Sequence, residues 1–394
     1  MIKSFTFSRI PIIHFGTGKF NILSDIISSM GTTVLIVTGK HSFESSGKKD
    51  VLEHALKKKC VTYFFVSALG EPSPGYVDQT VSQFKSASID VVCSIGGGSV
   101  IDAGKAISAM LPHDDSVFTY LEGVGTEKKH DGVKVPFIAV PTTAGTGSEA
   151  TKNAVLSRVG PDGFKKSLRN DNFVPDVAVI DPELMLTCPP HITAASGMDA
   201  FCQLLEAYVS THATPLTDTL AYAGLSSASE NLIPACTTGA EQSEVRAGMS
   251  YAALLSGITL ANAGLGVVHG LASALGGLFE IPHGIICGTL VCAATKVTID
   301  KLKKQKDKSE RALRKYARVG ALLTGSDNCT TDVCCSRLIL KLEEWTDMLH
   351  LPLLSEFGVK ESDIETVLDN TGNKNNPVQL DRNEIRHIID MRMK

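Results

Sequence analysis

The chain has 394 residues, 43% of them hydrophobic and 20% charged, with a formal net charge of -4. That length exceeds one ordinary core and suits two domains. A near-neutral balance gives no electrostatic reason to expect nucleic acid or an anionic membrane surface as a partner. No apolar run reaches membrane-span length without Gly or polar breaks, and MIKSFTFSRIPIIHFG at the N-terminus alternates like a strand where a signal peptide would carry an apolar core. A soluble, cytoplasmic protein is expected. The ten cysteines include no Cys-x-x-Cys and sit mostly in apolar runs, such as Cys93 in DVVCSIGGG. They are read as small core hydrophobes in a reducing compartment, with the adjacent Cys334 and Cys335 as two helix positions of which one is buried.

Through residue 185, short apolar β-branched runs alternate with amphipathic stretches. TVLIVTG, VTYFFV, DVVCSIGGG and VPFIAVPTT are strand candidates, and SPGYVDQTVSQFKSA and SVIDAGKAISAM are helical stretches between them. That rhythm predicts βαβ units and a parallel sheet with helices on both faces. NAVLSRV and FKKSLRN flank Gly160, Pro161, Asp162 and Gly163, which predicts a hairpin, and PDVAVIDPELM reads as the last strand of this half. After Pro189 and Pro190 the chain is rich in Ala, Leu, Gly and Ser with helical periodicity, which predicts roughly seven to nine helices. The expected organisation is an α/β domain over 1–188 and an all-α domain over 189–394, with a ligand cleft between them. The lysines from Lys301 to Lys308 are read as a solvated helix face.

Gly96, Gly97, Gly98 and Ser99 follow a candidate strand directly and precede a helix. Strand, glycine turn and helix N-terminus in that order let backbone N–H groups approach a phosphate, and the helix dipole favours its charge. The motif is neither G-x-G-x-x-G nor a Walker A loop. Asp102, three residues beyond Ser99, either faces the same ligand or closes a capping box with Ser99. A second loop, PTTAGTGSE, offers Thr142, Thr143, Thr146 and Ser148 as hydroxyls among glycines, again after a strand. Two such loops at the carboxyl ends of parallel strands make a dinucleotide the leading candidate ligand. The first strand ends in Gly39, followed by Lys40 and Ser42. A carboxylate there would grip a ribose 2′-hydroxyl and repel a 2′-phosphate, whereas a small residue beside a cation and a hydroxyl suits the phosphate. NADP is therefore expected ahead of NAD, with a plain surface turn as the alternative.

Asp199 and Gln203 are one helical turn apart in GMDAFCQLLEAYVS and leave the same helix face; His269 and His283 can close a metal site from a following helix and a loop. Glutamine is a harder and weaker donor than imidazole for iron or zinc, so this quartet has one visible fault.

On GGGSVIDAGKA, PTTAGTGSEAT, IDPELM, SGMDAFCQLLEAYVS, the His269–His283 segment and the late NKNNPVQL, the chain resembles the iron-containing alcohol dehydrogenases, distant fold relatives of dehydroquinate synthase and glycerol dehydrogenase, over essentially its whole length. The resemblance implies a Rossmann-like α/β domain and an all-α domain with cofactor and metal in the cleft, and suggests a homodimer or larger homo-oligomer. It implies that the pyrophosphate rests on Gly96 to Ser99, that Thr142, Thr143, Thr146, Lys165 and Leu184 flank the adenosine or nicotinamide parts, and that Asn153 lies near the nicotinamide and substrate. Asp199, His269 and His283 match three of the family's Asp, His, His, His ligands, and are expected to be catalytic through a divalent iron or zinc. Gln203 stands where the fourth is histidine, and Ser273 where many members carry another histidine.

The expected activity is interconversion of an alcohol and its aldehyde or ketone by hydride transfer with NAD(P), with the substrate oxygen polarised by the metal. Reduction is favoured if NADPH is the cofactor, and without a histidine at Ser273 the proton is expected through water or the ribose hydroxyls. Asn153, Phe201, Leu265 and Phe279 are candidate pocket residues. Three alternatives stay open: a metal-independent reductase of the maleylacetate reductase type, a lyase of the dehydroquinate synthase type, and a non-catalytic nucleotide binder. Against the lyase, the stretch from 190 to 290 offers only Arg246 as a cation for a polyhydroxy acid phosphate.

Overall fold

In the computed structural model, which describes residues 4–40, 42–126, 128–305, 310–326 and 329–393, the N-terminal half is built on a parallel sheet. Its strands are β1 (Ile12–Phe15), β2 (Thr33–Thr38), β3 (Thr62–Ser67), β4 (Val91–Gly96), β5 (Phe137–Pro141) and β8 (Val177–Ile180), in the order β1-β8-β5-β4-β2-β3. All five pairings are parallel. The helices α1 (Leu23–Met30), α2 (Ser42–Ser45), α3 (Lys48–Lys58), α4 (Pro74–Phe84) and α5 (Gly98–Met110) lie between them in sequence. The inner strands read as continuous apolar runs because both faces are covered: Leu35, Val37, Val92 and Ala139 enter one core, and Val34, Ile36, Cys93 and Ile138 the other. The chain reverses its direction of travel across the sheet between β2 and β4. This puts Gly39 and Gly96 at neighbouring strand ends, where open α/β sheets bind ligands.

The predicted hairpin is β6 (Asn153–Arg158) paired antiparallel with β7 (Phe164–Arg169). From Pro190 onward the described residues form helices only, as the composition predicts. These are α6 (Pro190–Val209), α7 (Pro215–Cys236), α8 (Ser243–Ala263), α9 (Val267–Leu278), α10 (His283–Lys304), α11 (Glu310–Thr324), α12 (Thr331–Met348), α13 (Ile364–Asp369) and α14 (Arg382–Asp390). Starts are set by local chemistry: Pro215 occupies the first turn of α7 behind a reciprocal Thr214–Thr217 cap, and Asp381 and Glu384 form the same device on α14. No single described helix is long and apolar enough to cross a membrane.

Two expectations are corrected. Ser99 and Asp102 do not form a capping box, because α5 begins two residues earlier, with Gly97 as its N-cap, and the Asp102 carboxylate accepts instead from Ser148 Oγ and from Val155 N at 3.0 Å. Not all cysteines are free: Cys329 and Cys334 are joined in a disulfide, and Cys334 and Cys335 are both buried. Of the basic run, Lys301 pairs with Glu384 and Lys303 with Asp332, while Lys306 and Lys308 lie outside the described residues.

Backbone-to-backbone approaches join the halves at several points. The β6–β7 turn rests on α9, with Gly160 N donating to Gly277 O at 3.2 Å. The loop after β5 presses on α8, where a Cβ on Gly257 would lie 2.1 Å from Gly147 O. Neither partner there is a flexible side chain, so the clash has no cheap relief. Gly257→Ala is expected to destabilise the fold by about 1–3 kcal/mol, read as a lower denaturation midpoint at unchanged m-value; an unaltered midpoint would contradict this packing.

Candidate active site

The two glycine loops lie side by side at the sheet's carboxyl edge. Thr142 N donates to Gly96 O at 3.0 Å, and a Cβ at Gly98 would meet Thr146 Cγ2 at 2.5 Å, so glycine is what lets the second loop close over the first. The N-terminus of α5 opens between them, an anion cradle by dipole and geometry. Gly39 and Ser42 stand together at the end of β2, with Lys40 exposed beside them. Beneath the loops, Lys105 is buried and donates to Ser148 O (2.8 Å), Thr151 Oγ1 (3.0 Å) and Asn153 O (2.8 Å), tying both loops to the hairpin. Burial lowers its ammonium to about 8 and raises the neighbouring Glu149 to about 7.

A cleft of about 360 Å³ runs from Gly98, Ser99, Asp102 and Thr146 on the sheet side to Gln203, His269, Ser273 and His283 on the helical side. Asn153, Lys165 and Leu265 also line it. Its volume falls within the range of small-ligand sites.

On the helical wall, α6 presents Asp199, Gln203 and Glu206, while His269 stands in the first turn of α9 and His283 begins α10. Glu206 accepts from Gly266 N (2.9 Å), Val268 N (2.7 Å) and His269 Nδ1 (2.7 Å). Both Glu206 oxygens also take backbone N–H bonds, so the Nδ1 proton is on the histidine, and Nε2 faces Asp199 Oδ1, 3.3 Å away. His283 Nε2 lies 3.8 Å from the same oxygen. Asp199 is 1% exposed, and neither its Oδ1 nor His283 Nδ1 has a hydrogen-bond partner. Acceptors converging on a buried carboxylate need a cation among them, so this donor set fits a divalent metal.

Two of the three charge states agree. Burial would raise the Asp199 carboxyl, but His283 and His269 reverse this and hold it at about 2, while burial lowers His283 to about 4. Anionic aspartate and neutral imidazole are the forms that ligate. Burial opposes a charged His269, yet Cys287, Asp199 and Glu206 together raise it well above the usual imidazole value, a proton standing where a cation is wanted.

Other expected residues have other partners. Phe201 is fully buried edge-on against Trp345, ring centroids 5.1 Å apart, and does not face the cleft. Phe279 packs against the helical core, and Leu184 is buried in the core on one sheet face. Ser273 Oγ donates to Lys165 O at 3.0 Å, and Lys165 Nζ pairs with Glu71. Arg246 is buried and spends its guanidinium on Ala240 O, Thr193 Oγ1 and Cys188 O. It therefore offers no charge to a substrate phosphate. Glu206, Glu71 and Cys287 were missed. Glu206 and Cys287 were within reach of the spacing argument, being three residues beyond Gln203 and four beyond His283 on the same helix faces.

Residues 11–182 match the family model described as iron-containing alcohol dehydrogenase, and residues 193–393 match that for the C-terminal part of the Fe-containing alcohol dehydrogenase family. The chain belongs to the iron-containing alcohol dehydrogenase family. It is 33% identical over 367 residues to the NAD-dependent methanol dehydrogenase of Bacillus methanolicus, covering 91% of each chain. It is 30% identical over 393 residues to the NADPH-dependent butanol dehydrogenase of Clostridium saccharobutylicum, covering 96% of this chain and 95% of the other. Among solved structures, a 1,3-propanediol oxidoreductase superposes with a TM-score of 0.87 at 27% identity, over 99% of this chain and 100% of that one. The protein is thus an NAD(P)-dependent alcohol oxidoreductase of a family that uses a divalent metal, and the reductase, lyase and nucleotide-binder alternatives gain no support.

Because Glu206 fixes the His269 tautomer, Glu206→Gln is expected to weaken metal binding by about 10–100-fold while leaving the circular dichroism spectrum unchanged. Competition with a chelator reads the affinity; wild-type affinity in the variant would contradict the assigned role.

Proposed function

We propose that this family member reduces a small aldehyde or ketone with NADPH, and oxidises the corresponding alcohol in reverse, in a metal-dependent reaction at the cleft between residues 1–188 and residues 189–394. The observation that carries this reading is the convergence of Asp199, His269 and His283 on the wall opposite the α5 N-terminus. A substrate in the cleft would meet a metal on one side and the cofactor on the other. The cleft's modest volume, and the methanol and butanol named in two relatives, favour a short alcohol.

Gly96 to Ser99 would hold the pyrophosphate on the helix dipole, with Asp102 fixing Ser148 and Val155 behind them. Gly39, Lys40 and Ser42 would take the ribose phosphate. Thr142, Thr143, Thr146, Asn153, Lys165 and Leu184 would flank the adenosine and nicotinamide parts, Leu184 from within the core. Asp199, His269 and His283 would hold the metal, and Gln203 stands beside them. When bound, the nicotinamide supplies the hydride and the metal supplies Lewis-acid polarisation of the substrate oxygen. The chain contributes position and field: Asp199 the anion, Glu206 the orientation of His269, and the Lys165–Glu71 pair a fixed dipole near His283. The Ser273 hydroxyl is committed to Lys165 O, which favours a proton path through water or the ribose hydroxyls. A cytoplasmic homodimer or larger homo-oligomer completes the reading.

The test is NADPH-dependent reduction of a short aldehyde panel by the purified enzyme, before and after metal removal and reconstitution. Activity lost on chelation and restored by zinc or iron is expected; activity indifferent to chelation would refute metal dependence. Gly39→Asp is expected to raise KM for NADPH by at least about tenfold through repulsion of the 2′-phosphate, and NADH use should be spared. Tighter NADH than NADPH binding by the wild type would overturn the cofactor preference.

A further inference from the structure

Cys287 lies one turn beyond His283 on α10, buried and on the same helix face. Its sulfur is 3.6 Å from His269 Nε2 and 3.7 Å from His283 Nε2. Asp199, His269, His283 and Cys287 each bring one donor atom to within 4.8 Å of the others. Tetrahedral zinc, with bonds of about 2.3 Å to sulfur and about 2.0–2.1 Å to nitrogen or carboxylate oxygen, sets sulfur and nitrogen about 3.6 Å apart and nitrogen and oxygen about 3.3 Å apart. The two sulfur contacts and the 3.3 Å His269–Asp199 contact match those edges, and the His283–Asp199 edge, at 3.8 Å, is wider. Asp199 Oδ1, buried and unpartnered, marks the same point independently.

Gln203 is differently engaged. Its Oε1 accepts from Ser256 Oγ at 2.9 Å, and Ser256 also reaches Gly145 O and Ala253 O, so the amide is tied to α8 and the second glycine loop.

We propose that the metal is held by Asp199, His269, His283 and the thiolate of Cys287, with Gln203 outside the coordination shell as a side chain positioning α6 against α8. The assignment rests on the metal site of the proposed function and names its fourth ligand. On binding, the Cys287 S–H bond breaks, the proton leaves to solvent through the cleft and a sulfur–metal bond forms, with no change of oxidation state. A soft thiolate in the set favours zinc over iron.

X-ray absorption on the zinc-loaded full-length protein, together with the absorption spectrum of its cobalt(II) form, tests this without reference to turnover. The wild type should show one sulfur neighbour at about 2.3 Å and a thiolate-to-cobalt charge-transfer band. Cys287→Ser should lose both and bind zinc at least about tenfold more weakly, whereas Gln203→Ala should keep both. A wild-type shell of nitrogen and oxygen alone, or no bound metal, would overturn the assignment. So would loss of metal in a folded Gln203→Ala, or a sulfur neighbour surviving in Cys287→Ser, which would move the ligand to the adjacent Cys202. Aldehyde reduction by a protein with a sulfur-free zinc shell would sink this inference and spare the functional reading; a sulfur-bound zinc in a protein that reduces no aldehyde would do the reverse.

Discussion

The site is organised by the carboxylate of Glu206. By accepting from His269 Nδ1–H and from two backbone N–H groups at the start of α9, it fixes one tautomer and one ring orientation. The His269 Nε2 then faces Asp199 Oδ1, which has no hydrogen-bond partner. Two such acceptors facing each other in a buried place need a positive charge between them, a proton in the metal-free site and a cation when the metal is bound. The helical half is therefore built around a demand for a cation, and α6 carries both the acceptor that creates the demand and the acid that orients its partner.

The sheet half answers with a demand for an anion. The parallel strands end in loops that leave the first turn of α5 open, and its backbone dipole awaits negative charge. The two demands face each other across one cleft because Gly147 meets Gly257, and Gly160 meets Gly277, backbone to backbone. A side chain at Gly147 or Gly257 would hold the halves apart and separate a reacting carbon from its hydride source, where small misplacements cost rate steeply.

Much of this was legible in the sequence, because the patterns involved are local. Apolar runs buried on both faces announced β2, β4 and β5, Gly160 to Gly163 announced the hairpin turn, and the prolines at 189 and 190 announced the change of architecture. Asp199, His269 and His283 came together as read. What was not legible depends on long-range geometry. Phe201 sits two residues from Asp199 but on a face turned to Trp345, and Asp102 serves the hairpin instead of its own helix start. Cys287 looks like a core residue in the apolar run after His283, although the helix repeat places it beside that histidine. The Cys329–Cys334 pairing escaped because spacing in sequence does not reveal which sulfurs meet.

The central claim is that a metal binds at Asp199, His269 and His283, at the wall of the cofactor cleft. Anomalous diffraction from crystals of the zinc-loaded protein, collected on either side of the zinc edge, tests it most directly. One strong peak is expected among the Asp199 carboxylate and the Nε2 atoms of His269 and His283. An empty cleft, or zinc bound only at the separate cluster of His113, His130 and Asp131, would contradict it.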